Sequence, residues 1–262
     1  MSKIFITMTT IPPRILDSLF IEHLNHLLKQ TIEFEKIFIN IPIEYKRFKN
    51  NYNHLEILNN YLLNQSKFEL IMLKEDYGPA SKFLGPLLYK WDEIKDNILI
   101  IIDDDRFYDV KMCEIYKNFY QSFPHILFAT GNQNLYFKQD LYLQCKEVEY
   151  KLNPTQYIAA FMSCSILIKD SIKNLIDYSM FILNHLQDSF YHDEGILLNY
   201  IKFNDFKVYN INYQFINIIQ EEMTDSLIKG NFVNRHFIEN EIRLITNSKH
   251  YFNKKLSKLK FF

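Results

Sequence analysis

The fold is decided by the stretch ILIIIDDD, residues 98–105, in which five aliphatic residues run directly into three aspartates. Four of the five are isoleucine, and a run of this length and β-branched content predicts a short strand buried on both faces. Ligands bind outside the carboxyl ends of strands in open parallel sheets. Asp103 and Asp105 are therefore candidates to hold a divalent cation through oxygen ligands. The alternative is a solvated acidic turn.

Composition limits the class of protein. The 262 residues are 48% hydrophobic and 16% aromatic, which favours a globular chain with a sizeable core and excludes disorder. A formal net charge of -1 gives no electrostatic reason to expect a nucleic-acid partner. Three scattered cysteines suit neither a zinc site nor a disulfide framework and favour a reducing, cytoplasmic location. The sequence shows no signal-peptide pattern and no apolar run long enough to span a membrane.

Strand patterns alternate with helical ones along the chain. Strands are predicted at 4–8, 36–42, 70–73, 98–102, 125–130, 157–162, 165–168 and 207–211, with helices between most of them and a polar connection over 131–154. This alternation predicts an α/β fold with a mainly parallel central sheet flanked by helices. No repeat or linker divides the chain, so we expect one domain over 1–262 with two functional halves, 1–110 and 111–262.

Three loops follow successive predicted strands: 9–14, 76–82 and 103–105. At the carboxyl edge of a parallel sheet such loops converge on one crevice. Arg14 and Lys82 each lie in the first turn of a predicted helix, where cations and backbone N–H groups favour phosphate. The loops contain neither a Walker motif nor a dinucleotide-binding glycine motif. Taken singly, both cations could also be surface charges.

One acidic pair later in the chain could carry catalytic chemistry. Asp193 and Glu194 open a predicted helix, where a carboxylate can act as a general base or simply cap the helix; His192 precedes them and could orient them.

The chain has only five glycines, and Gly78 and Gly85 fall within or beside the 76–82 loop. We expect glycine to be kept there because the backbone needs a positive φ or a close approach.

The segments 9–14, 76–85 and 103–105 resemble, in order and spacing, the motifs of GT-A-fold glycosyltransferases, closest to family-2-like sequences of bacteria, algae and large DNA viruses. The resemblance covers about the first 110 residues, and the later half matches mainly at 192–198. It implies a nucleotide-sugar donor and inverting transfer to a hydroxyl of a glycan, protein or lipid acceptor.

The same resemblance implies roles for individual residues. Mn²⁺ or Mg²⁺ would be held by Asp103 and Asp105, with a late histidine, His236 or His250, completing the shell. Asp193 or Glu194 would be the catalytic base. The donor would be bound by Asp76, which contacts the base of the nucleotide, and by Lys82, with Thr9, Arg14, Asp103 and Asp104 completing the nucleotide-sugar site.

Three other functions stay open at this point. A sugar nucleotidyltransferase shares the sheet and the metal, although its glycine-rich loop is absent from 9–14. A non-catalytic nucleotide- or sugar-binding module would keep the fold without turnover, and a structural protein would carry the acidic triplet as a surface feature. The basic, aromatic tail over 249–262 suits either weak contact with an anionic membrane surface or a solvated end.

Overall fold

A computed structural model describes residues 2–48, 53–131, 142–145, 148–154, 163–186, 189–190, 193–211, 213 and 216–218. Of the sequence predictions, His192, His236, His250, the strand at 157–162 and the tail over 249–262 lie outside these residues. The described part forms strands and helices in alternation, as the sequence predicts. No helix among these residues is long and apolar enough to cross a membrane.

The strands are bounded as follows: β1 Ile4–Thr9, β2 Lys36–Pro42, β3 Phe68–Leu73, β4 Ile98–Ile102, β5 Phe107–Tyr108, β6 Phe128–Gly131, β7 Tyr142–Cys145, β8 Val148–Pro154, β9 Ser163–Leu167, β10 Val208–Ile211 and β11 Ile216–Ile218. The helices are α1 Pro12–Ile15, α2 Ser18–Leu27, α3 His54–Leu62, α4 Ser81–Tyr89, α5 Trp91–Ile94, α6 Met112–Ser122, α7 Leu175–His185 and α8 Asp193–Phe203. Short 3-10 helices cover Gly78–Ala80 and Asp170–Ile172.

Among the described residues, nine strands form one sheet in the order β3-β2-β1-β4-β9-β6-β10-β8-β7, and β11 pairs with β5. Strands β3, β2, β1 and β4 are mutually parallel. β9 is inserted antiparallel between β4 and β6, and β8 is antiparallel to its neighbours β10 and β7. The other seven strands therefore share one direction, and the loops after β1, β3 and β4 meet at one edge.

Helices cover both faces of the sheet, because side chains alternate along each buried strand. Phe5, Leu99 and Ile101 face the core that contains apolar residues of α4, α7 and α8. Ile98, Ile100 and their neighbours on the other face pack with α2, α3 and α6. All five residues of β4 are buried, which confirms the doubly buried strand predicted from residues 98–102.

The predicted α/β fold with helices flanking a central sheet is confirmed. One interpretation was wrong: the polar connection expected over 131–154 contains strands β7 and β8 at the far edge of the sheet. β8 does alternate apolar and polar residues (VEYKLNP), a strand pattern that its high polar content obscured. In the sheet β8 pairs with β10 and with β7.

Candidate active site

The acidic triplet leaves β4 at the carboxyl edge of the sheet, and Arg14 of α1 binds two of its members. Arg14 pairs with Asp104 through Nη1 and with Oδ2 of Asp105 through Nη2, the latter at 3.1 Å. The Asp104 side chain is only 5% exposed, whereas that of Asp103 is 28% exposed. Asp104 therefore points into the protein, and Asp103 borders the open side of the crevice.

Lys82, in the first turn of α4, joins the triplet to the start of α8. Its Nζ lies 2.8 Å from Oδ1 of Asp103 and 2.7 Å from Oδ2 of Asp193. The Lys82 and Asp193 side chains are 5% and 4% exposed, so this pair is shielded from solvent. Glu194 follows in the first turn of α8 and is partly exposed. The structure thus brings residues that are ninety positions apart in sequence into one cluster.

Asp76 fixes the loop between β3 and α4. Its Oδ1 accepts the N–H of Gly78 and its Oδ2 accepts the N–H of Lys46, both at 2.8 Å. Gly78 has a φ of +58°, and a Cβ there would lie 2.3 Å from the carbonyl oxygen of Phe190. Both the positive φ and the lack of space for a Cβ therefore require glycine at this position. The close contact also packs the loop against the segment before α8.

The floor of the crevice is a polar network in the first two strands. Thr9 at the end of β1 donates to the carbonyl of Asn40 at 2.7 Å. The Asn40 amide donates to Oγ1 of Thr7 and to the carbonyl of Met8, and Thr7 donates to the carbonyl of Lys82. A Cβ at Gly85 would lie 1.9 Å from Oδ1 of Asn40, so α4 approaches β2 closely and holds Lys82 over the strand ends.

Burial and like charge shift the acids of this cluster. Burial and then the charge of Glu194 raise the pKa of Asp193 to about 7, although Lys82 opposes the shift. Burial and the charge of Asp103 raise the pKa of Asp105 to about 6 despite Arg14. For Lys82, burial alone would lower the pKa, but Asp103 and Asp193 more than offset it and the pKa is raised.

The chemistry of the cluster fits a hard divalent cation. Five carboxylates (Asp103, Asp104, Asp105, Asp193 and Glu194) face three cationic side chains (Arg14, Lys82 and Arg106). Oδ2 of Asp104 is buried and has no hydrogen-bond partner among the residues that the structure describes. Within the described ranges, no three His, Cys, Asp or Glu side chains form a ready-made metal site. Asp103 and Asp105 would have to share a cation with groups from elsewhere, such as substrate oxygens.

Three residues that support the cluster were not anticipated from the sequence. Tyr108 is fully buried, and its hydroxyl accepts the N–H of Asp103 at 2.8 Å. Tyr45 donates to the carbonyl of Thr10. The fully buried His23 packs against the rings of Phe107 and Tyr108, and burial lowers its pKa to about 4. A fourth residue, Asn40, did carry a signal in the sequence, because a polar residue interrupts the apolar run of β2.

Comparison with solved structures identifies the fold as GT-A-like. The glycosyltransferase TarS of S. aureus superposes with a TM-score of 0.51 at 12% identity, covering 82% of this chain and 36% of that one. The chain therefore spans about a third of TarS. A mannosyltransferase from Pyrobaculum calidifontis, in complex with GDP-Man and Mn²⁺, gives 0.49 at 10% identity, covering 79% of this chain and 53% of that one. IspD, a cytidylyltransferase of Francisella tularensis, gives 0.46 at 14% identity and covers 84% and 94%.

No family model matches the sequence, and no curated protein matches it. At these identities the structural likeness establishes the fold, and the chemistry has to be argued from the cluster itself.

Proposed function

We propose that this chain is a metal-dependent glycosyltransferase that moves a sugar from a nucleotide-diphosphate donor to an acceptor hydroxyl with inversion. The observation that carries the proposal is the Lys82 ammonium, which lies within 2.8 Å of both Asp103 and Asp193. An acidic loop that could bind a cation and a buried carboxylate therefore lie close together, which supports the proposal. Metal-dependent inverting transfer uses both, a cation for the departing diphosphate and a carboxylate for the proton of the acceptor.

Arg14, Lys82 and the acidic triplet serve the donor. Arg14 and Lys82 present their charge at the carboxyl edge of the sheet, where they would hold the phosphate oxygens. A divalent cation held by Asp103 and Asp105 would neutralise the charge that develops on the departing diphosphate. Asp76 and Thr9 border the same edge. Asp76 would contact the nucleotide base, and its carboxylate also fixes the loop through the N–H groups of Lys46 and Gly78.

Asp193 is the better candidate of the acidic pair for the catalytic base. Its pKa of about 7 matches proton transfer near neutral pH. The acceptor hydroxyl would give its proton to Asp193 as its oxygen bonds to the anomeric carbon. The bond from that carbon to the diphosphate breaks at the same time, which inverts the configuration. Glu194, one residue further along α8, is the alternative base.

The test is a donor hydrolysis screen. Purified protein is incubated with Mn²⁺ and a panel of UDP-, GDP- and dTDP-sugars, and released nucleoside diphosphate is measured. We expect release from one nucleotide class, abolished by Asp105→Ala and unchanged by Asp92→Asn, a matched loss of charge at an exposed position on α5. Full turnover in the Asp105→Ala variant would refute the metal role.

The base is tested separately with isosteric amides. Asp193→Asn should abolish transfer to an acceptor, and Glu194→Gln should retain it if Asp193 is the base. Normal transfer by both variants would show that neither is the base. Formation of a nucleotide-sugar from a nucleoside triphosphate and a sugar phosphate, with no transfer activity, would instead identify a nucleotidyltransferase.

A further inference from the structure

The contact between Lys82 and Asp193 poses a conflict for the proposed reaction. Lys82 is the cation best placed in the described part of the crevice to meet a diphosphate near Asp103. Yet its ammonium lies 2.7 Å from Asp193 and 2.8 Å from Asp103, with 5% of its side chain exposed. A diphosphate can be bound by Lys82 only if one of these carboxylates gives up part of its contact.

Asp193 is the partner that competes with the phosphate for Lys82. The Asp103 side chain is 28% exposed and can exchange its contact with Lys82 for a cation or water. The Asp193 side chain is 4% exposed and anchored at the first residue of α8, where water and cations have little access. Its negative charge therefore keeps attracting the ammonium when a phosphate approaches. Removing one partner of a buried pair leaves the other charge without its counter-ion, so Lys82 without Asp193 should bind an anionic ligand more tightly.

We propose, on the basis of the function proposed above, that Asp193 competes with the diphosphate of the donor for Lys82, so that donor binding itself releases Asp193 for catalysis. Before the donor binds, Lys82 holds the Asp193 carboxylate in an ion pair, and the carboxylate cannot fully serve as a base. Once the donor phosphates take Lys82, the carboxylate is free to accept a proton from the acceptor. Lys82 is thus a positioning residue for Asp193 as well as a donor ligand.

The proposal predicts an effect that loss of a catalytic group does not usually have. Asp193→Asn should bind a nucleoside diphosphate about tenfold more tightly than the wild type, because one charge-assisted contact becomes available to the ligand. Asp92→Asn removes the same charge at an exposed position on α5 and leaves the ion pair in place, so its affinity should stay within about twofold of the wild type. The probe is UDP, GDP or dTDP, measured by calorimetry with Mn²⁺ and without added metal.

A double variant shows whether the gain passes through Lys82. In the Lys82→Met background, Asp193→Asn should give no gain, since the ammonium that the ligand would recruit is absent. Circular dichroism confirms that each variant folds, and Asp193→Ser is the substitute if the amide does not fold. Each affinity is compared within its own background, so the weaker binding expected of Lys82→Met does not enter the test.

The outcomes separate this proposal from the function on which it rests. Unchanged or weaker binding by Asp193→Asn overturns it, as does an equal gain in Asp92→Asn or a gain that survives in the Lys82→Met background. Those results leave a nucleotide-binding protein in which the pair is only structural. If the wild type binds no nucleotide, the proposed function is refuted, and the proposed competition between Asp193 and the diphosphate is refuted as well.

Discussion

Replacement of Gly85 by alanine tests how closely α4, the helix that carries Lys82, approaches the floor of the crevice. A Cβ at this position would lie 1.9 Å from Oδ1 and 2.6 Å from Cγ of Asn40. Asn40 is fully buried, and its Nδ2 donates to Thr7 at 2.8 Å and to Met8 at 2.7 Å. The amide therefore cannot move aside without breaking both hydrogen bonds.

Two opposing contributions set the size of the effect. Alanine stabilises a helix relative to glycine by about 1 kcal/mol. Against this, the displaced Asn40 loses two buried hydrogen bonds of about 1 kcal/mol each, and overpacking adds about 1–3 kcal/mol. We expect Gly85→Ala to lower the free energy of unfolding by about 2–4 kcal/mol.

Urea unfolding followed by circular dichroism measures this change, and Asn40→Ala provides the matched background. With the Asn40 amide removed, the nearest remaining atom is the Cβ of residue 40 at 3.2 Å, so the helix preference dominates and Gly85→Ala should be neutral or stabilise the protein by up to about 1 kcal/mol. A neutral or stabilising effect in the wild-type background would refute the close approach. The same loss in both backgrounds would show that Asn40 is not the obstacle.

Three further predictions concern the crevice. The kcat/KM of the proposed reaction should fall as the pH drops below about 7, because protonated Asp193 cannot accept a proton; a pH–rate profile without this limb would contradict the assignment. Gly78→Ala should lower Tm and turnover together, since φ is +58° and the Cβ would meet Phe190. An unchanged Tm in differential scanning fluorimetry would show that the loop is not held in this conformation. Asp76→Asn should cost about 1–3 kcal/mol in urea unfolding, because an amide cannot accept both backbone N–H groups; an unchanged midpoint would argue that these hydrogen bonds are absent.

The sequence predicts much of the fold because the central strands are doubly buried. Residues 36–42 and 98–102 have the bounds that their apolar runs predict. Glycine is required at positions 78 and 85, as predicted. Gly78 has a positive φ, and neither position has space for a Cβ. β8 could have been predicted, because Val148, Tyr150 and Leu152 alternate with polar residues. β7 has only four residues and no such pattern, and its pairing with β8 places it in the sheet.

The candidate site is less predictable because its contacts join residues that are far apart in sequence. Loops after parallel strands had to converge, so Arg14, Lys82 and the triplet could be grouped in advance. That Lys82 would contact Asp193 as well as Asp103 depends on the packing of α8 against the 3-10 helix before α4. Tyr108 could not be singled out, since nothing distinguishes it from the other tyrosines of an aromatic-rich chain.

The most direct test of the central claim is the metal dependence of nucleotide binding. Calorimetric titration of UDP, GDP or dTDP into the wild type should show binding that requires Mn²⁺ and disappears with a chelator. Asp105→Asn should lose the metal-dependent part, and Asp92→Asn should keep it. Equal affinity with and without Mn²⁺, or full metal-dependent binding by Asp105→Asn, would contradict the claim that the acidic triplet after β4 holds a cation for a nucleotide-sugar.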